Sequence, residues 1–316
     1  MAGYLGRDGA VLIGEESTYG TAVSRTNTIA AVSFAGFYQK TDPILHNGLN
    51  RPAGFHRSVM PGRVTCAGTM DGILTYENCG MLFEAATGGT PATTGSGPYT
   101  HVFANDTSIK SYTVEPIRGD AANTTLVRGA MVNKLQIMSS EGDYVRFKTE
   151  WMAQLSNSVS SAGSPSYGTG RSPAVYWHAG TVTINSVVWT IRSVTVTLDN
   201  ALKESRDHAT QYTNKPYPGE RSVTIELEVV YDSTVSEAPY TAQQTVVQYD
   251  SSITWTGSGN NTFKIDWYNA FVESLSMDVP NGDEMVQKVT LRALTDGTDH
   301  AVKFTITNDN SSATAN

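Results

Sequence analysis

The chain has 316 residues with 28 glycines; 39% of residues are hydrophobic and 16% charged, enough apolar material for two cores and far from a disordered composition. With 22 basic against 30 acidic residues, a formal net charge of −8, and no basic run of five, it lacks a phosphate-tracking surface and a basic face for anionic membranes. No apolar stretch approaches the roughly 20 residues of a membrane span, and Met1–Gly20 lacks the basic-then-apolar order of a signal peptide. The reading is synthesis in a cytoplasm and retention there until assembly.

From the N-terminus, an arm (1–28) precedes a strand at Ala31–Phe37, a polar connection at Gln39–Met60 and a second strand at Arg63–Met70. A connection of that length exceeds any hairpin turn and marks a functional loop or a disordered one. A helix follows over Tyr76–Ala86, because Cys79, Leu82, Phe83 and Ala86 fall on one stripe and Gly88-Gly89 ends it. After a Gly/Thr/Pro/Ser loop at Thr87–Pro98, strands at Met131–Met138 and Tyr144–Trp151 turn at Glu141-Gly142-Asp143. Ser156–Ser172 is Ser/Gly-rich and reads as a linker.

The second half follows the same plan. Ser193–Leu198 is a strand, Asp199–Glu220 a long polar connection, and Ser222–Val229 a strand with every second residue apolar, so one face is buried and the other polar. Thr234–Gln244 stands where the helix stood, with Pro239 predicting a shorter or bent version. Phe271–Met277 and Met285–Leu294 turn at Asn281-Gly282-Asp283, and the tail beyond Thr307 reads as frayed. Between Ala130–Lys148 and Ala270–Lys288, six of nineteen positions are identical, where about one is expected from average usage. Two copies of one β-domain in tandem follow: first domain 29–160, linker 161–180, second domain 181–308, tail 309–316.

Chemistry-bearing motifs are missing. There is no Gly-x-Ser-x-Gly elbow, phosphate loop, His-Glu-x-x-His or dinucleotide fingerprint. Gly168-Thr169-Gly170-Arg171-Ser172 sits in the linker, and Asp296-Gly297-Thr298-Asp299 reads as a turn rather than a calcium loop. His46 and His56 share one loop and the other four histidines are scattered. Cys66, in a strand, and Cys79, at a helix start, read as buried free thiols. No catalytic, cofactor or metal site is expected. The two long connections instead carry, in or beside them, charges and aromatics of the kind that interfaces use as anchors: Tyr38 just before the first and Lys40, Asp42, Arg51, Phe55 and Arg57 within it, and Lys203, Arg206, Asp207, Tyr212, Lys215 and Tyr217 in the second. Any one of these charges is equally an ordinary solvated side chain; their recurrence in both halves is what singles out the loops.

Gly14-Glu15-Glu16-Ser17-Thr18-Tyr19-Gly20-Thr21-Ala22, then strand, long loop and strand, then Tyr76-Glu77-Asn78-Cys79-Gly80-Met81-Leu82 with Gly88-Gly89, then Tyr99-Thr100-His101-Val102-Phe103, resembles the tail tube (major tail) proteins of long-tailed bacteriophages. The resemblance covers nearly the whole chain and is strongest from Gly14 to Trp151. It implies a mainly β fold of two tandem sandwich or barrel domains, each with a short flanking helix, and rings stacked around a lumen through which DNA passes without specific binding. The long loops and the arm, with Tyr19, would make contacts between rings or subunits. The implied partners are further copies of the chain, a tape measure protein and tail-end proteins; the place is the virion tail, with no cofactor and no membrane insertion. A fused pair of domains closes as three chains with pseudo-sixfold symmetry, the alternative being six. The acidic balance fits a conduit for DNA, and equally plain solubility. A two-domain β-sandwich adhesin or decoration protein of the virion is the competing class, separated by whether the chain self-associates.

Overall fold

Alternation of apolar and polar residues builds many of the strands in this chain. The computed structural model describes residues 9–29, 31–45, 58–119, 124–159, 162–165, 173–232, 235, 238–278, 284–295, 297 and 300–314. The first half runs β1 (Gly9–Glu15), β2 (Asn27–Ile29), β3 (Ala31–Leu45), β4 (Val59–Ile73), α1 (Gly80–Thr87), β5 (Ala92–Thr94), β6 (Tyr99–Ala104), β7 (Tyr112–Arg118), β8 (Thr124–Ser140), β9 (Arg146–Ala153) and β10 (Leu155–Val159). The second runs β11 (Gly180–Ile184), β12 (Val187–Trp189), β13 (Ile191–Asp199), β14 (Ser222–Val230), α2 (Ala238–Thr245), β15 (Tyr249–Thr256), β16 (Thr262–Asp278), β17 (Val286–Ala293) and β18 (Val302–Asn308). The protein is mainly β, with two short helices.

One antiparallel sheet crosses both halves in the order β3-β4-β9-β8-β13-β14-β17-β16. The second half supplies a further sheet, β12-β11-β15-β16-β18, which the first half extends with β6 and β5. The first half's own further sheet is β2-β1-β7-β8-β10. Apolar residues from all of them, among them Val11, Val132, Trp151, Val196, Ile225, Trp255 and Phe304, form a single core cluster.

The halves repeat each other down to their irregularities. β8 bulges against β9 between Val132 and Lys134, and β16 bulges against β17 between Val272 and Ser274. β3 bulges between Ala31 and Ser33, and β13 between Ile191 and Ser193. Asp71 stands opposite Lys148 in one half and Glu228 opposite Lys288 in the other, complementary cross-strand charges at the same place. Register also adjusts the sequence comparison, which sets Val64 against Val223. Cys66 and Val223 are the equivalent pair, since they face Ala153 and Ala293. A slip of two residues keeps every side chain on its face, so the expected inside and outside survive.

Several element boundaries differ from expectation. The first long connection is partly strand: β3 continues into it as far as Leu45 and β4 begins within it at Val59, leaving 46–58 between them. Helix α1 starts at Gly80 rather than Tyr76, with Cys79 at its N-cap, and Gly88 closes it in the left-handed region at φ +83°. Helix α2 matches α1 in length rather than being shorter, because Pro239 falls in its first turn, where a missing N–H costs nothing. The loop specific to the first half carries β5, and β6 follows it to pair with β18. Residues 309–314 lie against the body: the Asn310 carbonyl accepts from His101 Nε2 (2.9 Å) and Ala313 packs on the core.

Candidate assembly surfaces

The junction between the halves shows how this fold joins to itself. In β8 and β13, Leu135 faces Leu198 and Ile137 faces Val196, all four buried; on the polar side Lys134 lies 3.6 Å from Asp199 and Gln136 Nε2 donates to Thr197 Oγ1. At the end of β13 the fully buried Asn200 donates through Nδ2 to the carbonyls of Ala86 and Val132, both at 2.9 Å, so one amide ties α1, β8 and β13 together. Asn133, the bulge residue, accepts from the amide of Leu202 through Oδ1. Arg221 of the second half donates to the carbonyls of Thr87, the last residue of α1, and of Asp106. Burial pushes its guanidinium down to about 10, against the pull of Asp106. Deeper in, Phe83 of α1 stacks on Phe263 and Phe304 at 5.3 and 4.9 Å and leans on Phe103 at 5.8 Å. The first half's helix is thus packed into the second half's sheet.

The second long loop, 200–221, is fastened across the first half. Arg206 Nη1 donates to the carbonyls of Val64 (2.8 Å) and Gln211 (2.7 Å), while its Nε and Nη2 bind Glu204. Gln211 reaches the Pro61 carbonyl and accepts from the Val64 amide. Lys203 and Tyr217 form a two-residue bridge across the loop, and Asp207 accepts from Asn214. Tyr19 packs its ring over Gly129 and donates to the Asn214 carbonyl, tying the arm to this loop. Burial, and then Glu16, push its phenol pKa up. Beside it the buried Glu16 accepts from Thr113, Gly20 and Gly129.

The first long connection behaves differently. The end of the β3–β4 hairpin exposes Ile44 (60%), Val59 (63%) and Met60 (65%), with Tyr38 exposed further down. Apolar side chains gathered at one exposed place mark a contact surface. Lys40 and Arg63 flank Asp42 at 3.7 and 3.8 Å. The outer strands of the eight-stranded sheet, β3 and the 271–278 part of β16, each pair on one side only among the described residues. On α2, Tyr240 is half exposed, and Val246 just beyond it is 63% exposed. Its counterpart α1 is buried throughout.

Of the residues singled out in the sequence, Tyr19 and Arg206 are turned into the chain; Lys203, Asp207 and Tyr217 make contacts within it yet stay exposed, as do Tyr38, Tyr212 and Lys215. Arg51, Phe55 and Arg57 lie outside the described residues, as do His46, His56, Gly168–Arg171–Ser172, the Asn281-Gly282-Asp283 turn, Asp296, Thr298 and Asp299. Glu16, Asn200 and Arg221 were missed. Glu16 stood in the quoted N-terminal motif, and only its burial reveals its work. Asn200 and Arg221 give no signal, since both are ordinary loop residues until the partner backbone arrives.

The polar face of the eight-stranded sheet mixes charges rather than concentrating acid: Lys134, Arg146, Lys148, Lys288 and Arg292 are interleaved with Asp71, Glu150, Asp199, Glu226 and Glu228. A shallow groove of about 260 Å³ on this face is lined by Ser193, Thr195, Glu226, Glu228, Lys288 and Thr290, where Ser193 Oγ donates to Glu228 Oε2 at 3.3 Å. Among the described residues no three His, Cys, Asp or Glu side chains are grouped to hold a metal, and no helix is long and apolar enough to cross a membrane. His101 is a core histidine, held by Thr93 and Asn310.

The family described as phage tail tube protein matches residues 6–315. The chain belongs to that family. It is a structural component of the bacteriophage tail. No curated protein matches the sequence. Among solved structures, one titled as Hcp1 from Flavobacterium johnsoniae is similar at 15% identity over 36% of this chain and 89% of its own, with a TM-score of 0.26.

Proposed function

We propose that this tail tube protein self-assembles into rings that stack into the conduit for DNA ejection, each ring closed by three chains with pseudo-sixfold symmetry. One observation carries this reading: the two halves, taken as fused copies of one domain, are already joined edge to edge in an eight-stranded sheet whose outer strands are both open. Three chains of eight strands each close a barrel of twenty-four strands, which removes every exposed edge of that sheet. The polar face lines the lumen, and its interleaved charges offer sliding phosphates no cationic track to hold them. The exposed hairpin of β3 and β4 reaches the neighbouring ring, where Ile44, Val59 and Met60 find cover.

The protein performs no catalysis and takes no cofactor on this reading. Its partners are its own copies, the tape measure protein inside the tube and the proteins at the tail's ends. It is made in the host cytoplasm and incorporated into the virion. Electron microscopy with light scattering on the purified chain, across a concentration series, tests the reading. Stacked rings whose averages show threefold symmetry per chain are the expected result; sixfold symmetry with six chains overturns the trimer, and a persistent monomer overturns the tube.

A further inference from the structure

The repeat makes the inside of this protein a template for its outside. β8 is equivalent to β16 and β13 to β3, as shared bulges and cross-strand partners establish. The β8–β13 pairing therefore has one counterpart that a single chain leaves unmade, between the open edge of β16 and the open edge of β3 in a second copy. Carrying the internal register across fixes the partners. Lys134 opposite Asp199 becomes Ser274 opposite Lys40. Leu135 opposite Leu198 becomes Leu275 opposite Gln39, and Gln136 opposite Thr197 becomes Ser276 opposite Tyr38. Ile137 opposite Val196 becomes Met277 opposite Gly36, and Met138 opposite Thr195 becomes Asp278 opposite Ala35. Phe37 is the extra residue of a bulge that β13 lacks; it turns in at φ +58° and is buried over Gly68, where a side chain would collide with its ring.

We propose that the joint between chains is this antiparallel pairing of β16 with β3 of the next copy, in the register that sets Ser276 opposite Tyr38 and Met277 opposite Gly36. The proposal rests on the ring reading above and gives it residues. Exposure agrees with it. Leu135 and Ile137 are 1% exposed at the internal joint, whereas the equivalent Met277 is 44% exposed and Leu275 only partly buried. A long side chain at Met277 meets a glycine across the joint, as shape requires. The helices agree as well, since α1 is buried at the internal joint and the equivalent α2 still exposes Tyr240. The Arg118 guanidinium donates to the Gly36 carbonyl at the open β3 edge (2.7 Å) and gives way when a strand takes that acceptor. A charged side chain on a free edge also restrains pairing with wrong strands.

The test is disulfide trapping in the full-length protein under ring-forming conditions. Tyr38→Cys with Ser276→Cys places two thiols directly opposite each other, and non-reducing electrophoresis is expected to show most chains linked as dimers and closed trimers. Tyr38→Cys with Ser274→Cys is two residues out of register, about 7–8 Å between partners, too far for a bridge, and is expected to stay at the level of the single variants. Rings in the microscope without the Tyr38–Ser276 link, or with the shifted link instead, overturn the register while leaving the ring reading intact. A chain that makes no rings overturns both. Met277→Asp is the second variant: it is expected to keep the thermal midpoint of the parent monomer and to abolish rings, and rings that persist overturn the proposal.

Discussion

Replacing Phe83 with alanine asks whether the two halves are one energetic unit. The ring is 1% exposed and lies within 4.9–5.8 Å of three other phenylalanine rings, one from its own half and two from the other. Truncating a buried Phe costs about 3–5 kcal/mol through lost transfer energy and an unfilled cavity, and aromatic pairs contribute about 0.5–1.5 kcal/mol each beyond buried area. The loss belongs at the upper end of the first range, about 5 kcal/mol, against a typical whole-protein stability of about 5–15 kcal/mol. Urea unfolding followed by tryptophan fluorescence and circular dichroism together is the assay. The emission sums Trp151 of the first half with Trp177, Trp189, Trp255 and Trp267 beyond it, while circular dichroism follows the strands of both halves. The expected result is one transition, moved to much lower urea, with both probes coincident. Tyr240→Ala on the exposed face of α2 is the control and should shift the monomer by no more than about 0.5 kcal/mol. Two separated transitions, with only one shifted by Phe83→Ala, or a loss below about 1 kcal/mol, would refute the argument that α1 welds the halves.

Asn200→Ala removes the donor that satisfies the Ala86 and Val132 carbonyls in a buried place; at about 1–3 kcal/mol for a stranded acceptor, a fall in thermal midpoint should be seen, and the 200–221 loop should become more sensitive to limited proteolysis. Cys66 and Cys79 are buried, and burial pushes the Cys66 thiol up to about 11 while the Ser156 hydrogen bond pulls it down. A thiol reagent at pH 8 should therefore label neither cysteine in the native chain and both in denaturant. Rapid native labelling would show that this part of the core opens.

How much of this was legible in the sequence depends on the range of the interaction. Alternation in Ser222–Val229 and the apolar stripe of the first helix are local patterns, and each appears as an element close to its expected place. The repeat was legible too, because Ala130, Val132, Leu135, Gly142, Asp143 and Lys148 recur at matching spacing. Gly142 recurs for a reason of geometry: it takes φ +84° in the turn after β8. Boundaries were less legible. The polar, proline-bearing run after Phe37 looked like loop, yet β3 extends into it to Leu45 and β4 begins within it at Val59, since an edge hairpin tolerates Pro43 and exposed polar residues on both faces. The candidate contacts divide in the same way. Charges in the second loop looked free for a partner, and Arg206 is instead used on the Val64 and Gln211 carbonyls, acceptors that no side-chain pattern announces.

The pairing of β6 with β18 sets an order of events during synthesis. Lys303–Asn308 complete a ladder begun at Tyr99–Ala104, so a strand made early waits for the last strand of the chain. The β8 edge waits likewise for β13. A nascent first half thus presents two open strand edges, and because the repeats are equivalent, a neighbour's copy is a ready substitute for the proper mate. Such long-range ladders form slowly and expose the chain to mispairing meanwhile. A single chain that carries both halves brings each of these edges its proper mate within the same molecule.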